Sequence, residues 1–301
     1  TVIGKPARMS GNYNNWRKLN LVLQEIQKCY VDTVDVKKVT DAAVVASLAA
    51  LDPHSVYLPP VELEKSQTEL AGNFDGIGIQ FNVPNDTAIV LEVIPGGPSE
   101  KVGLQPGDRI LKVDSCNIAG VKFPQDSMVR RMKGRAGTEV GILVKRGEEK
   151  IPFNIKRGKI PMHCVDAAFM INDTTGYIRL SKFSRTTFVE VSAAAGKLLD
   201  NNMKHLVFDL RDNSGGYLDQ ALLLSDMFLE KGDEIVYLQG LHQKREDYKA
   251  DGKGILKDVR LSVLMNENSA SSSEIFAGAM QDNDRGTIVG RRSYGKGLVQ
   301  E

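Results

Sequence analysis

The sequence has few cysteines, no long hydrophobic run and almost no net charge. Its cysteines, Cys29, Cys116 and Cys164, are odd in number and widely spaced, which excludes a disulfide framework or a CxxC metal site and predicts buried thiols. No run approaches the roughly 18 apolar residues needed to span a bilayer, which excludes an integral membrane protein. With a formal charge of +1, no net field favours nucleic acid or an anionic membrane as a partner.

The start of the chain also lacks the features of a secretory signal. No positively charged segment with an apolar core is present, and the first residue is Thr1, which predicts a processed or engineered start. An export signal removed by processing is compatible with this start. The length of 301 residues suggests about two domains with a small accessory segment.

Common hydrolase and metal motifs are missing as well. The sequence contains no GxSxG elbow, no HExxH and no paired Cys/His spacing, so we predict neither a metal nor a cofactor. Its histidines lie outside recognisable motifs and are His54, His163, His205 and His242. A Ser-His-Asp arrangement stays open as an alternative.

Helical periodicity marks the N-terminal part. Apolar residues recur at helical spacing within residues 14–52, and a further helix is predicted over residues 61–70. Asp52-Pro53 ends the first stretch, because a residue before proline is disfavoured in the helical region. We predict a packing or dimerising role for these helices, and the dimerising role would give a homodimer through them.

Short β-type runs punctuated by glycine follow between residues 72 and 157. The predicted strands cover residues 76–81, 88–93, 108–113 and 139–144. The order of a GxGI strand, GGPSEKVGL, PGDRILKVD and GTEVGILVKR resembles a PDZ domain along the whole module.

The PDZ resemblance implies capture of a peptide C-terminus. The peptide would add as a strand to the sheet edge, and its carboxylate would accept backbone N–H bonds from the glycine loop. The residues implied for peptide binding are Gly76, Ile77, Gly78 and Ile79 in the loop and Met128, Val129 and Met132 on the groove helix of residues 125–133. Gly76 and Gly78 as plain turn glycines is the alternative.

Strands and helices alternate from residue 160 onward, which predicts an α/β layer with functional groups in the turns at strand ends. One turn, Asn268-Ser-Ala-Ser-Ser-Ser-Glu-Ile275, joins a strand to a helix, and the sequence Gly295-Lys-Gly-Leu-Val-Gln300 follows. A serine becomes a nucleophile when a neighbouring base takes its proton, and a lysine is such a base only when neutral. Ser271-x-x-Glu274 is also a capping box, so the serine has a purely structural alternative.

The serine cluster, the AGAM sequence after it and the GKG-LVQ segment resemble the C-terminal processing, or tail-specific, serine proteases of peptidase family S41. The resemblance extends to Leu51-Asp-Pro-His-Ser-Val-Tyr57. In that family the nucleophile is the third residue of the serine cluster, twenty-five positions before the lysine. This implies Ser271 as nucleophile, Lys296 as base and Gln300 as the residue that orients the lysine, with Ser269, Ser272 and Ser273 in support.

The segment Asp209-Leu-Arg-Asp-Asn-Ser-Gly-Gly216 is similar to the DLRxNPGG pattern of the family. The resemblance implies that Gly215 or Gly216 donates a backbone N–H to the oxyanion, with the N–H of Ser272 as the second donor. Asp209 and Arg211 are predicted to be structural ion-pairing or hydrogen-bonding groups and not catalysts. Ser272 and Ser214 stand where the family usually has Ala and Pro.

The resemblance implies an α/β protease core of the ClpP/crotonase-like type with an inserted β-rich PDZ domain and an N-terminal helical segment. We predict domains over residues 1–70, 71–158 and 159–301. Family members continue with further strands beyond the GKG segment, so we expect the C-terminal part of the core to be missing. Bacterial members are generally exported, which implies a periplasmic or cell-envelope location.

The predicted function is a serine endopeptidase that cleaves proteins near their C-termini through an acyl-enzyme, with tails that end in apolar residues as partners. The main alternative is a non-catalytic PDZ scaffold on an incomplete protease core. A hydrolase of small esters is a third alternative, but it gives the peptide-binding module no purpose.

Overall fold

The computed structural model describes residues 13–299 and divides the chain into two compact units, residues 1–64 and 65–301. The first contains helix α1 (Tyr13–Cys29) and helix α2 (Val36–Ala49). Helix α2 begins after Asp35, whose carboxylate accepts the N–H of Lys38 as an N-cap. Asp52 accepts the N–H groups of His54 and Ser55 and so fixes the turn after α2. Helix α3 (Pro60–Ala71) spans the division between the units.

The first part of the second unit is β-rich. Its elements are β1 (Asn73–Gly76), β2 (Ile79–Asn82), β3 (Ala88–Val93), α4 (Pro98–Lys101), β4 (Arg109–Val113), β5 (Cys116–Asn117), α5 (Gln125–Met132), β6 (Glu139–Arg146), β7 (Glu149–Lys156) and β8 (Gly158–Pro161). The sheet has the order β2-β3-β4-β6-β7, so β2 and β7 are its edge strands. Strands β1 and β8 pair antiparallel and form a separate ribbon where the chain enters and leaves this module.

The proline in β7 fits the position of this strand at the edge of the sheet. Pro152 lacks the N–H that a central strand would need to donate, and an edge position tolerates that loss. Inside the module, apolar residues from the sheet pack with Met128 and Met132 of α5 in one hydrophobic core.

The remaining elements form an α/β layer, as the alternation predicts. They are β9 (Val165–Met170), β10 (Thr175–Leu180), α6 (Thr187–Asp200), β11 (His205–Asp209), α7 (Leu218–Asp226), β12 (Glu234–Leu238), β13 (Glu246–Lys249), β14 (Arg260–Met265), α8 (Ser272–Asp282) and β15 (Thr287–Gly290). The main sheet has the order β15-β14-β11-β10-β9 and is parallel except for β9. The carboxyl ends of β10, β11, β14 and β15 therefore meet at one edge.

Three phenylalanines hold the helices against this sheet. Phe208 of β11 lies 5.2 Å from Phe276 of α8 and 6.5 Å from Phe228, measured between ring centroids, and Phe228 lies 5.4 Å from Phe276. All three are fully buried. Such aromatic packing fixes the start of α8 relative to the end of β11.

Arg285, just after the C-terminal end of α8, bonds neighbouring segments of the chain. Its guanidinium is partly buried and donates to the carbonyl oxygens of Phe228, Leu256 and Val259. Burial lowers the pKa of Arg285 from its ordinary value, and the carbonyl partners satisfy its donors. Within residues 13–299, no helix is long and apolar enough to cross a membrane.

Candidate active site

Three segments follow the carboxyl ends of parallel strands, where the sequence predicted functional groups. The glycine turn, residues 210–217, follows β11; the serine turn, residues 266–271, follows β14; and the lysine segment, residues 291–297, follows β15. Crevices at this end of an open α/β sheet are the usual sites of ligand binding. The prediction that these residues lie in turns at strand ends is confirmed.

Buried serine hydroxyls attach the serine turn and the start of α8 to the glycine turn. Ser269 Oγ donates to Leu210 O at 2.8 Å, Ser273 Oγ to Asn213 O at 2.9 Å and Ser272 Oγ to Gly216 O at 3.0 Å. All three serines are at most 1% exposed. Their hydroxyls therefore have structural partners, whereas Ser271 is only half-buried.

Ser271 has an unusual backbone conformation. Its φ is 54° and its ψ is −115°, and it is the N-cap residue of α8. A positive φ is costly for a residue with a side chain, and such strain is concentrated at functional sites. The turn places Ser271 beside the first N–H groups of α8, where the helix dipole is positive.

Glu274 joins the serine turn to the lysine segment. Its Oε2 accepts the N–H of Ser271 at 2.8 Å and the N–H of Lys296 at 2.9 Å. Its Oε1 accepts from Ser293 Oγ at 2.7 Å and from the N–H of Gly295 at 2.6 Å. One carboxylate oxygen therefore bonds the backbones of both Ser271 and Lys296. A lysine side chain is long enough to span the distance between the two residues.

The surroundings of Glu274 favour its charged form. Burial by itself would raise the pKa of this carboxyl, but hydrogen bonds from Ser293, Gly295, Lys296 and Ser271 lower it below its ordinary value. The capping box in the sequence indicated only the bond to Ser271. Contacts with residues about twenty positions later could not be read from local sequence, so sequence reasoning missed this role of Glu274.

The two glycines of the glycine turn differ in what their N–H groups contact. The N–H of Gly215 donates to Asn213 Oδ1 at 2.9 Å. Among the described residues, the N–H groups of Gly216 and Ser272 have no recorded acceptor. The sequence left Gly215 and Gly216 open as oxyanion donors, and the geometry favours Gly216.

Both positions require glycine. The φ of Gly215 is +95° and that of Gly216 is +152°. A Cβ on Gly215 would lie 2.7 Å from Ala270 O and 2.8 Å from Ser271 Cβ, and one on Gly216 would overlap Phe183 O. The glycine turn can approach the serine turn so closely because neither glycine has a side chain.

An ion pair joins the last residue of β11 to the glycine turn. Arg211 Nη2 donates to Asp209 Oδ2 at 2.7 Å, and Tyr177 Oη donates to the same oxygen at 2.7 Å. Burial would raise the pKa of Asp209, but Arg211 and Tyr177 lower it, and burial together with Asp209 raises the pKa of Tyr177. Asp209 and Arg211, predicted as ion-pairing or hydrogen-bonding groups, thus pair with each other.

The contacts described for His205 and His163 are with residues other than Ser271. His205 begins β11, at the opposite end of the strand from the glycine turn, and its Nε2 lies 3.0 Å from Ser262 Oγ. His163 Nδ1 lies 3.5 Å from Glu190 Oε2, close to β9. Over residues 13–299 no cluster of His, Cys, Asp and Glu could hold a metal ion. Gln300, the predicted orienting residue, lies outside the described residues.

The predicted peptide loop lies beside edge strand β2. Among the described residues, the N–H groups of Ile77 and Gly78 have no recorded acceptor, while Gly78 has a φ of +76°. Gly76 pairs with Gly158 of β8, and Ile79 pairs with Val93 of β3. The edge of β2 opposite β3 is unoccupied by any described strand.

The groove helix α5 differs in part from the expectation. Met128 is 0% and Met132 is 3% exposed, because both pack into the core of the module, and only Val129 is half-buried. The two methionines are core residues in this structure and do not form an open groove wall. Whether any of the three contacts a peptide stays a prediction.

Comparisons with known proteins agree with these two regions. The PDZ domain model matches residues 76–156, and the model of peptidase family S41 matches residues 174–301. The chain is 32% identical to a probable CtpA-like serine protease of Staphylococcus epidermidis over 95% of this chain and 58% of that protein. A probable CtpA-like serine protease of Staphylococcus aureus is 34% identical over 95% of this chain and 57% of that protein.

The chain thus spans a little over half the length of these curated relatives. Among solved structures, a photosystem II D1 C-terminal processing protease is 28% identical with a TM-score of 0.49, and the match covers 93% of this chain and 76% of that one. By these matches, residues 174–301 are similar to peptidase family S41, and residues 76–156 are similar to a PDZ domain.

Proposed function

We propose that the chain is part of a serine endopeptidase that cleaves proteins near their C-termini, with Ser271 as nucleophile and Lys296 as general base. The observation that carries this proposal is the Glu274 carboxylate, whose Oε2 accepts the N–H groups of both residues. Two segments that are far apart in sequence are thereby held at one point. The strained backbone of Ser271 and its position at a helix start support the same assignment.

The first half of the reaction forms an acyl-enzyme. Neutral Lys296 takes the proton of Ser271 Oγ, and this oxygen attacks the carbonyl carbon of the scissile peptide bond. The N–H groups of Gly216 and Ser272 donate to the oxyanion that results. The C–N bond then breaks, and the Lys296 ammonium gives its proton to the departing amine.

The second half hydrolyses the ester on Ser271. Lys296 takes a proton from water, the hydroxide oxygen attacks the ester carbonyl, and Ser271 Oγ leaves with the proton from Lys296. Gln300 would orient the amine of Lys296, since a neutral amide hydrogen-bonds to it without holding it protonated. Ordered donors in the glycine turn would serve both halves of the reaction.

The PDZ domain would capture the substrate tail. A peptide can add to the open edge of β2, and its terminal carboxylate can accept the N–H groups of Ile77 and Gly78. The half-buried side chains of Ile79 and Val129 supply an apolar surface for the last residue. We therefore propose protein tails that end in apolar residues as substrates.

Assembly and location follow as further parts of the proposal. Helix α1 exposes apolar side chains, among them Leu21 at 47% and Val22 at 49%, which supports a homodimer through the N-terminal helices. An exported, periplasmic or envelope-side location rests on the family resemblance alone.

The test uses the full-length protein, a peptide with an apolar C-terminus and a serine-reactive fluorophosphonate probe. We expect Ser271→Ala to abolish both cleavage and labelling, and Lys296→Met to lower both by at least about a hundredfold. Lys197→Met is a matched control, because Lys197 is exposed in the last turn of α6. Unchanged cleavage in Ser271→Ala would refute the nucleophile.

The same experiment separates the protease from a PDZ scaffold. A scaffold would bind the peptide, and neither the parent protein nor any variant would cleave it or react with the probe. Mass spectrometry of the digest then locates the cleaved bond, and a bond far from the C-terminus would contradict processing of protein tails.

A further inference from the structure

Among the buried serine hydroxyls that bond the glycine turn, that of Ser272 bonds Gly216. Ser272 is the first residue of α8 and is 1% exposed. Its Oγ lies 3.0 Å from Gly216 O and 3.3 Å from Tyr217 O. A hydroxyl has one proton to donate, so the shorter contact to Gly216 is the principal bond. The serine therefore bonds the residue that carries the favoured oxyanion donor.

The bonds around Gly216 define where its N–H points. Phe183 N donates to Gly215 O at 3.0 Å, and Tyr217 N donates to Phe183 O at 2.9 Å. In a trans peptide the C=O and the N–H point in opposite directions. The N–H and the C=O of Gly216 therefore both point away from Phe183, to the side on which Ser272 lies.

The two bonds to Phe183 orient the peptide planes on either side of Gly216, but they do not attach Gly216 to helix α8. Gly216 is exposed and has the conformational freedom of a glycine. The bond from Ser272 Oγ to Gly216 O attaches this residue to the first turn of α8. It also joins the two proposed oxyanion donors, because one is the backbone N–H of Ser272 itself and the other belongs to its hydrogen-bond acceptor.

We propose that Ser272 is a positioning residue whose side-chain hydroxyl holds Gly216 beside the start of α8 and thereby fixes the place of the Gly216 N–H relative to the Ser272 N–H at the oxyanion site. This inference rests on the proposed function of Ser271 and Lys296. The hydroxyl does not touch the reacting atoms and acts through Gly216. It raises the rate of the chemical step and leaves substrate binding by the PDZ domain unaffected.

Ser214 lies immediately before the glycine pair. A proline at this position would stiffen the glycine turn by fixing its own φ, which Ser214 cannot do.

A proline at position 214 tests whether a stiffer glycine turn compensates for the loss of the Ser272 bond. Ser214 is exposed and is not among the residues with positive φ, and within residues 13–299 its N–H has no recorded acceptor. A proline there would remove no hydrogen bond among the described residues. The variant Ser214→Pro can therefore be combined with Ser272→Ala in a double-mutant cycle.

The experiment measures kcat, KM and the rate of fluorophosphonate labelling in the full-length protein. We expect Ser272→Ala to lower kcat and the labelling rate about tenfold and to leave KM within twofold, since a donor is loosened and not removed. Ser214→Pro combined with Ser272→Ala should recover most of this loss. Ser273→Ala, which loses an equally buried hydroxyl bond to Asn213, should lower kcat far less.

Each outcome has a distinct meaning. Equal kcat in Ser272→Ala and the parent protein, with Ser271→Ala inactive, overturns this inference and leaves the proposed function intact. Activity that persists in Ser271→Ala overturns the proposed function. Should Ser272→Ala fail to fold, Ser272→Cys keeps the volume with a weak donor, and a normal kcat in that variant also overturns the inference.

Discussion

Two glycine loops in this chain present backbone N–H groups, and their surroundings differ. In the PDZ domain, the N–H groups of Ile77 and Gly78 lie beside an unoccupied strand edge. In the protease region, the N–H of Gly216 lies in a turn that serine hydroxyls attach to the neighbouring helix. The first loop can receive a strand, and the second is fixed to the residue beside it.

The contacts of the glycines show the same difference. A Cβ on Gly78 would meet a side-chain atom, the Cδ1 of buried Ile160, at 2.9 Å. A Cβ on Gly216 would overlap the backbone carbonyl of Phe183, which is held by its own hydrogen bonds. A binding loop can change conformation when its ligand binds, because the ligand's own hydrogen bonds help to order it. Donors to a transition state must already be oriented before the reaction.

The largest effect is expected for Gly216→Ala. The new methyl group overlaps Phe183 O and forces the turn away from Ser271, so kcat should fall by more than about a hundredfold. Steady-state kinetics and thermal unfolding measure the result. The control is Gly278→Ala in α8, where a Cβ meets nothing within 4 Å and alanine favours the helix. Normal kinetics in Gly216→Ala would remove the distinction between the loops.

Glu274→Gln should have the next largest effect. Gln keeps an oxygen acceptor but loses the charge that strengthens four hydrogen bonds, so the lysine segment should loosen and kcat should fall about tenfold. Glu267→Gln is the matched control, since Glu267 also binds the lysine segment, through Arg291, but at an exposed site. Similar losses in both variants would contradict a special role for Glu274.

The same carboxylate predicts a dependence on pH. The folded protein lowers the pKa of Glu274, so this group contributes stability above its unfolded pKa and loses that contribution as pH falls through the lower, folded value. In the acidic range, the thermal stability of Glu274→Gln should therefore fall less with decreasing pH than that of the parent protein. Stability profiles of the two proteins that stay parallel at acidic pH would exclude this linkage.

Asp209→Asn should act mainly on stability. It removes a fully buried charge beneath the glycine turn, and because Arg211 is 48% exposed the cost should be about 2 kcal/mol, below that of a wholly buried pair. Denaturant unfolding measures the change. Asp247→Asn breaks the exposed pair with Arg245 and should lower the free energy of unfolding much less.

The smallest effect is expected for Gly78→Ala. The positive φ of Gly78 and its contact with Ile160 make alanine unfavourable, and peptide affinity should fall severalfold while kcat at saturating substrate stays normal. Peptide titration measures the affinity. Gly141→Ala on β6 is the control, because its Cβ would make only ordinary contacts with Asp114.

The sequence predicted the elements with clear periodicity and the turns with distinctive residues. The strand predicted over residues 88–93 has the bounds of β3, whereas the one predicted over residues 76–81 begins only at Ile79, in β2. Strands β1, β5, β7, β8, β9 and β13 were not predicted. Strand β7 contains Pro152 and charged residues, and β9 is short and rich in alanine, so neither pattern differs locally from a loop.

The site required information beyond local sequence. Spacing to Lys296 singled out Ser271 only through the family resemblance, and the roles of Gly215 and Gly216 stayed open because their N–H partners depend on the turn geometry. Helical spacing could not tell whether Met128 and Met132 line a groove or fill the core, since both positions lie on the apolar face of α5.

The double acceptance at Glu274 Oε2 also has a consequence for motion. Because the N–H groups of Ser271, Gly295 and Lys296 all bond one carboxylate, none of these bonds can open widely without straining the others. Their amide protons should exchange with solvent deuterium together, as one cooperative opening unit. A protein at rest would thus seldom present the serine without the lysine segment beside it.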